Sequence, residues 1–569
     1  MELARPLAKK ARELREEVRR GRPGTWWTEL RGRLRVWLET ATHRSIDDDP
    51  LTDTLVQSVV CGMVALQFAR RRFKRGVLRR VMQHCGPLVE SLLKECDPAG
   101  RNGRRFPQPL SELAQHLSPE LSYDHREKSP PNGGAMLHFF EPFLNSFDAG
   151  ARQRHGVFYT PPPVARHIVN QADRLLRKEF GLVDGLADLS TWGDLQRRCP
   201  EMHCPGRNVR SAPFVRILDP AAGTGIFLTE VIDRVHRTLT AKWRSAGKDD
   251  SEIRHDWNQY VSRDLLPRIV GLELMLPAAL LATMQVAYKL ADTGYQFRAK
   301  RRIRIYVTDT LAGPHAAKTL PDLSAPWRRE LRDIGQAGYG EPVTVVLGNP
   351  PFSGISQNRS PWINGLLKGE SDQGPAAAGY YQVDGQPLGE RKVWLQDDYV
   401  KFLRYAHWQI ERAGCGLIGF VTNHGYLDNA SFRGMRQRLI ESFPRITVVD
   451  LHGNRKKKET TPAGDVDESV FPIEQGVAIG LFRRPVDTDG GEIRHCDVWG
   501  TREEKIRILG QACGPGRGRA YCPPVATLSS HVPRGPRVRS LRSSGGLAGS
   551  NARQLDRGRH RARRVCDCV

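Results

Sequence analysis

Phe214-Val-Arg-Ile-Leu218-Asp219-Pro-Ala221-Ala-Gly223-Thr-Gly225 opens as a short apolar strand, turns on glycine and runs into the amphipathic stretch Phe227 to Leu239. Strand, glycine turn and helix in that order let the backbone approach a ligand closely. They set it at a helix N-terminus, at the carboxyl end of a parallel sheet. The dinucleotide fingerprint is excluded, because its third glycine is missing and Phe227 stands near that place. Asp219 closes the strand with a carboxylate.

Two strands further on also end in acids. Arg268 to Leu272 runs into Glu273, and Ile303 to Val307 runs into Thr308-Asp309-Thr310. An acid at the tip of the strand after the glycine turn is where two ribose hydroxyls would be gripped. The next, Asp309, would accept from an adenine amine. A polar insertion over 241–267 delays Glu273 relative to the usual spacing of about twenty residues. Each acid taken singly reads as a strand-end cap.

A fourth strand, Val343-Thr-Val-Val-Leu347, stops at Gly348 and leads into Asn349-Pro350-Pro351-Phe352-Ser353-Gly354. Two prolines fix the backbone and remove two N–H donors, so the chain leaves the sheet as a rigid extended loop. The loop presents an amide, a carbonyl and an aromatic ring together. Asn349 Oδ1 and the Pro350 carbonyl can each accept one hydrogen of an exocyclic amine while Phe352 stacks on its ring. Accepting both hydrogens keeps the lone pair on nitrogen and aims it at an electrophile. An ordinary Asn-Pro-Pro turn is the other reading of the same residues. Four successive strand ends carrying ligand-type residues favour a site.

Beyond this loop, helices expected over 397–411 and 431–443 alternate with strands over 416–421, 446–451 and 476–482, the last as the final strand, with Arg455 to Lys458 as a basic loop. Alternation from about 214 to 482 predicts a doubly wound α/β sheet of Rossmann-like type. Upstream, residues 1 to about 130 have helical spacing, with Thr52-Asp53-Thr54 as a cap for Leu55 to Arg72. The basic run Arg70 to Arg75 is either a solvated face or a phosphate contact. A Pro/Asn/Gly-rich boundary at Ser129 to Gly134 precedes a helix over 136–147. In Tyr159-Thr160-Pro161-Pro162-Pro163, Thr160 is expected to cap the helix that follows. Residues 183–212 read as a polar insertion.

The 569 residues suffice for two to four domains. With 39% hydrophobic and 26% charged residues the composition is ordinary, but a net charge of +24 points to a polyanion, nucleic acid before membrane. The apolar stretch Ile269 to Ala291 contains Glu273 and Lys289, so it reads as core and not as a membrane span. The N-terminus has no signal-peptide pattern, and eleven scattered cysteines read as reduced cytoplasmic thiols. Cys199, His203 and Cys204 have no second pair at matching spacing, so no metal is expected.

Taken in order, Tyr159-Thr160-Pro161, Asp219 to Gly225, Glu273, Asp309 and Asn349-Pro350-Pro351-Phe352 resemble the amino-group DNA methyltransferases. Trp394 to Lys401, Thr422-Asn-His-Gly-Tyr-Leu-Asp428, Phe432 to Arg436, Asp450-Leu-His-Gly-Asn454 and Trp499 to Glu504 narrow this. They resemble the methyltransferase portion of single-polypeptide, type ISP, restriction–modification enzymes, over roughly residues 45 to 506. The resemblance implies a Rossmann-like methyltransferase domain over 135–506 behind a helical coupler-like domain over 1–134. It implies that Tyr159, Thr160, Pro161, Asp219, Ala221, Gly223, Gly225, Glu273 and Asp309 hold S-adenosyl-L-methionine. Asn349, Pro350, Pro351 and Phe352 would hold a flipped adenine for methylation at N6 in double-stranded DNA. A separate recognition or restriction subunit is an implied partner. RNA adenine, protein glutamine, or an inactive DNA-binding remnant are the alternatives.

No Gly-x-x-x-x-Gly-Lys-Ser/Thr occurs, so the family's translocase is not expected, nor its nuclease. From Gly510 to Val569 there are twelve arginines, no lysine and two aspartates. This Arg/Gly/Pro-rich tail, 507–569, is expected to be disordered and reads as an arginine-rich nucleic-acid arm or as a frameshifted or truncated frame. The second reading is preferred, because the tail stands where a recognition domain would begin.

Overall fold

A computed structural model describes residues 4–20, 26–97, 108, 111–112, 114–115, 134–148, 159–202, 204–314, 324–352, 354, 356, 358–370, 379–389, 393–486 and 491–511. The expectations for the tail from 512 onward, for 129–133, and for His203 and Ser353 lie outside these residues.

Among the described residues the N-terminal region carries the helices α1 (Ala4–Arg19), α2 (Trp26–Thr42), α3 (Asp48–Arg72), α4 (Arg75–His84), α5 (Pro87–Glu95) and α6 (Gly134–Phe147). Among the described helices α3 is long and apolar enough to cross a membrane, and 78% of its most apolar window is buried inside the protein. It begins at Asp48, earlier than the cap expected at Thr52 to Thr54. The cap residues are drawn into the helix: Thr52 Oγ1 donates to the Asp48 carbonyl, and Asp53 pairs with Arg15 of α1 at 2.6 Å.

The α/β part begins with α7 (Pro162–Phe180), then β1 (Ile217–Asp219), α8 (Ile226–Ser245), β2 (Ile269–Glu273), α9 (Leu276–Asp292), β3 (Ile305–Val307) and β4 (Val345–Gly348). After a two-stranded hairpin, β5 (Gln382–Val383) and β6 (Gln386–Pro387), come α10 (Asp398–Ala413), β7 (Gly416–Asn423) and α11 (Arg433–Ser442). The described chain closes with β8 (Arg445–Asp450), β9 (Val477–Arg484), β10 (Glu492–Asp497) and α12 (Arg502–Gln511). Eight strands form one sheet in the order β10-β8-β9-β7-β4-β1-β2-β3. β9 runs antiparallel to both neighbours, and every other adjacent pair is parallel. The inner strands are buried throughout, as continuous apolar runs in a sheet covered on both faces must be.

The expected doubly wound Rossmann-like sheet behind a helical region is therefore present. The chain enters at β1, winds outward to β3, then returns to β4 on the other side of β1. The β1/β4 boundary is thus the switch point where a crevice opens at the carboxyl edge. α9 ties the two regions together. Its residues from Leu276 to Leu290 are all buried, because α3 packs on its outer side. The Tyr288 hydroxyl donates to the Ala65 carbonyl of α3 at 2.8 Å.

Four further local expectations need correction. Pro161, not Thr160, stands at the N-cap of α7, because the prolines start the helix one residue later. The insertion at 241–267 is helical: α8 runs on to Ser245, and Asp250–Tyr260 forms a helix with a reciprocal cap between Asp249 and Glu252. In the 183–212 insertion, Trp192–Arg198 is a helix capped by Thr191 and Asp194, and Trp192 is fully buried against Phe214. The strand over 476–482 is not the last, since β10 follows at the sheet's edge.

Candidate functional site

The crevice at the switch point is built from four strand ends. Gly223 and Gly225 both take left-handed backbone, with φ of 54° and 87°. At Gly225 a Cβ would sit 3.2 Å from the Ala282 backbone, so this glycine serves the packing of the turn on α9. At Gly223 a Cβ would meet nothing within 4 Å, because that residue faces the crevice. The turn is held by Glu273: Gly223 N–H donates to Oε2 and Met275 N–H to Oε1, both at 2.8 Å. Burial pushes the Glu273 carboxyl up to about 7, with the Met275 and Gly223 N–H groups pulling the other way. Asp219 is 1% exposed and accepts from Ala221 N–H at 3.2 Å. Burial raises its carboxyl well above the usual range, and the nearby Glu273 adds to the rise.

Asn349 leaves β4 beside that turn. A Cβ on Gly348 would lie 3.0 Å from Asp219 Oδ1, so the two strand ends are in contact. Asn349 Nδ2 donates to Thr160 Oγ1 at 2.9 Å, which fixes the amide's orientation. The hydroxyl that was expected to cap α7 is therefore an acceptor for Asn349. Phe352 is 8% exposed and meets Phe471 edge-to-face, with ring centroids 6.3 Å apart. Tyr159 N–H donates to Glu141 of α6 at 2.6 Å, bringing α6 to the mouth of the crevice.

Asp309 is engaged from two sides. Arg44, in the loop after α2, reaches Oδ2 through Nε at 2.9 Å and Nη2 at 2.6 Å. Asn358 Nδ2 lies 3.1 and 2.9 Å from the two carboxylate oxygens. Asn358 is itself held by Lys401 of α10, whose Nζ donates to the Asn358 carbonyl at 2.6 Å and to Ser356 Oγ at 3.0 Å.

Of the thirteen residues singled out in the sequence, Tyr159, Thr160, Ala221, Gly223, Glu273, Asp309, Asn349 and Pro351 line one crevice. Pro161, Asp219, Gly225, Pro350 and Phe352 stand behind or beside the wall and do not line it.

No protein-family model and no curated protein matches the sequence. Solved structures do match. A DrdV–DNA complex seen by cryo-electron microscopy shares 19% identity at a TM-score of 0.61, over 89% of this chain and 43% of that one. The ATP-dependent type ISP restriction–modification enzyme LlaBIII, bound to DNA, shares 18% at 0.60, over 90% of this chain and 30% of that one. A nuclease-deletion mutant of the type ISP enzyme LlaGI, in complex with a DNA substrate mimic, shares 20% at 0.60, over 90% and 36%. The chain resembles type ISP enzymes in fold. It spans less than half the length of each of these three proteins.

The crevice also contains residues that sequence reasoning missed. Arg44 is one of 87 basic residues and lies in a loop without a motif. Asn358 carries only a weak signal, an Asn two residues before a serine whose N–H it accepts at 3.0 Å. Glu141 sits on a helix as an ordinary charged position.

Proposed function

We propose that this chain is the methyltransferase portion of a restriction–modification enzyme, acting on adenine N6 in double-stranded DNA with S-adenosyl-L-methionine as donor. The observation that carries the reading is the contact between two strand ends. The acid and glycine turn after β1 and the Asn-Pro-Pro loop after β4 meet at the switch point, so one crevice offers a nucleoside cradle and an amine acceptor side by side.

The cofactor, when bound, supplies an electrophilic methyl on a sulfonium. The residues suit it: Gly223 leaves its side of the crevice open, Glu273 offers a carboxylate to ribose hydroxyls, and Asp309 an acceptor to the adenine amine. Arg44 and Asn358 hold the Asp309 carboxylate in place. Tyr159, Thr160 and Ala221 complete the wall. For the target base, Asn349 Oδ1 and the Pro350 carbonyl accept the two amine hydrogens, with Thr160 orienting the amide and Phe352 supporting the ring. N6 is a poor nucleophile inside a base pair, so the base leaves the stack and is held within reach of the methyl. No covalent intermediate is needed for this direct displacement.

The net charge of +24 supports a polyanionic substrate over a protein one. The methyltransferase unit is proposed to extend through α12, which packs on α7. A separate recognition or restriction subunit would complete the system in the cytoplasm. The test is methyl transfer from tritiated cofactor, with the chain in excess over duplexes that contain or lack adenine. Label confined to adenine-containing duplex is expected. Label on adenine-free DNA, on RNA only, or on protein would overturn the substrate.

A further inference from the structure

On the other side of β4 from the glycine turn, the ends of β7, β8 and β10 gather a second set of donors. His424 follows β7, Asp450 ends β8, His452 and Glu459 lie on the loop beyond it, and Asp497 ends β10. One ring nitrogen from each histidine and one carboxylate oxygen of Glu459 lie within 4.8 Å of one another.

The hydrogen bonds assign which nitrogens are which. His424 Nδ1 lies 3.1 Å from Asp450 Oδ1, and His452 Nε2 lies 2.8 Å from Asp497 Oδ1. A carboxylate only accepts, so each takes an N–H and leaves the lone pair on the opposite nitrogen; at His452 that nitrogen, Nδ1, stands 3.7 Å from Asp450 Oδ2, beyond hydrogen-bond reach. For His424 a second contact agrees: the Asn454 amide nitrogen, a donor, faces Nε2 at 3.1 Å. Carboxylate behind, lone pair in front is the arrangement that orients histidine toward a metal ion.

The groups are also held in place. His452 stacks on Trp499 with centroids 3.4 Å apart and planes 12° from parallel. Its backbone is left-handed, with φ of 49°, and its N–H donates to Asp450 Oδ1 at 2.9 Å. Glu459 Oε2 accepts from Asn454 N–H at 2.9 Å, which keeps the carboxylate beside the rings. A cavity of about 260 Å³ adjoins, and the Lys457 and Arg494 cations on its wall are paired with Asp428 and Glu492.

We infer that His424, His452 and Glu459 bind a single first-row transition-metal dication. Two imidazoles and one carboxylate suit zinc and its neighbours and disfavour magnesium and calcium, which take oxygen ligands. The ion displaces the Asn454 amide from His424 Nε2 and ties the 452–459 loop to the ends of β7 and β8. Its role is structural, and the inference stands apart from the methyl-transfer reading.

The test uses the full chain, stripped with chelator and titrated with Co2+ as a spectroscopic probe. Expected are one equivalent bound, visible bands without thiolate charge transfer, displacement by Zn2+ and no competition from excess Mg2+. Absence of thiolate bands matters because the chain has eleven cysteines. Glu459→Gln, at a half-buried position that keeps an acceptor for Asn454, should weaken binding about tenfold or more with an unchanged circular dichroism spectrum. No Co2+ binding by the native chain, a thiolate band, or undiminished affinity in Glu459→Gln would each overturn the site.

Discussion

Under the proposed function Glu273 joins structure and chemistry in a single side chain, because the carboxylate that shapes the glycine turn would also be the one offered to a ligand. Its folded pKa is raised from 4.5 to about 7 by burial. A raised acid stabilises the fold fully below its unfolded pKa. That contribution is lost as pH rises from about 4.5 through about 7. In the ligand-free chain, Glu273→Gln should therefore flatten the fall in unfolding free energy across that window. Cofactor affinity should run the other way, rising with pH through about 7 as the carboxylate ionises and can accept ribose hydroxyls. Calorimetry across this range checks both; a flat affinity profile would remove Glu273 from the ligand. The residue scale was half legible in the sequence. Strand-end acids announce themselves by following apolar runs, whereas Thr160 disclosed only a hydroxyl before prolines. Which partner it took, helix or Asn349, depended on where α7 began.

At the scale of elements, apolar strands were readable because a sheet covered on both faces needs continuous apolar runs. β10 was missed for the opposite reason. Glu492-Ile-Arg-His-Cys-Asp497 is an edge strand whose outward residues are polar, and among these six only Cys496 is buried. The helices over 192–198 and 250–260 were missed because their polarity suggested loop, although Thr191-x-x-Asp194 and Asp249-x-x-Glu252 were capping signals. α12 carries the prediction at this scale. Lys505 is fully buried, donating to the Leu451 and Glu468 carbonyls at 2.7 and 2.8 Å and pairing with buried Asp467 at 2.7 Å. Lys505→Met leaves the Asp467 charge without its cation, so it should cost about 3–5 kcal/mol. Denaturant unfolding measures it, and a loss under about 1 kcal/mol would mean that α12 does not hold the 467–469 loop.

The whole molecule depends on how the helical region meets the sheet, and no sequence pattern shows that. Alternation of strand and helix identifies two regions; it does not show that Arg44 crosses between them to Asp309. The pair is half-open on the arginine side and buried on the aspartate side. Arg44→Ala should lower unfolding free energy by about 1–2 kcal/mol, less than a fully buried pair would. Under the proposed function it should also weaken cofactor binding severalfold, since Asp309 loses one of its two holders. Unchanged stability and affinity together would make the contact incidental. The net charge, by contrast, was legible from composition alone, and under the proposed function it should make DNA affinity fall steeply with salt.

The central claim, that Asn349 and its loop present an adenine amine to a methyl donor, is most directly tested by identifying the methylated nucleoside. Native chain and Asn349→Ala, each in excess over adenine-containing duplex with labelled S-adenosyl-L-methionine, would be followed by digestion and mass spectrometry. N6-methyldeoxyadenosine is expected from the native chain. Transfer by the variant should be slower by roughly 10²–10³, as for loss of one preorganised acceptor, with cofactor affinity nearly unchanged. A methyl group on cytosine, or undiminished transfer by Asn349→Ala, would contradict it.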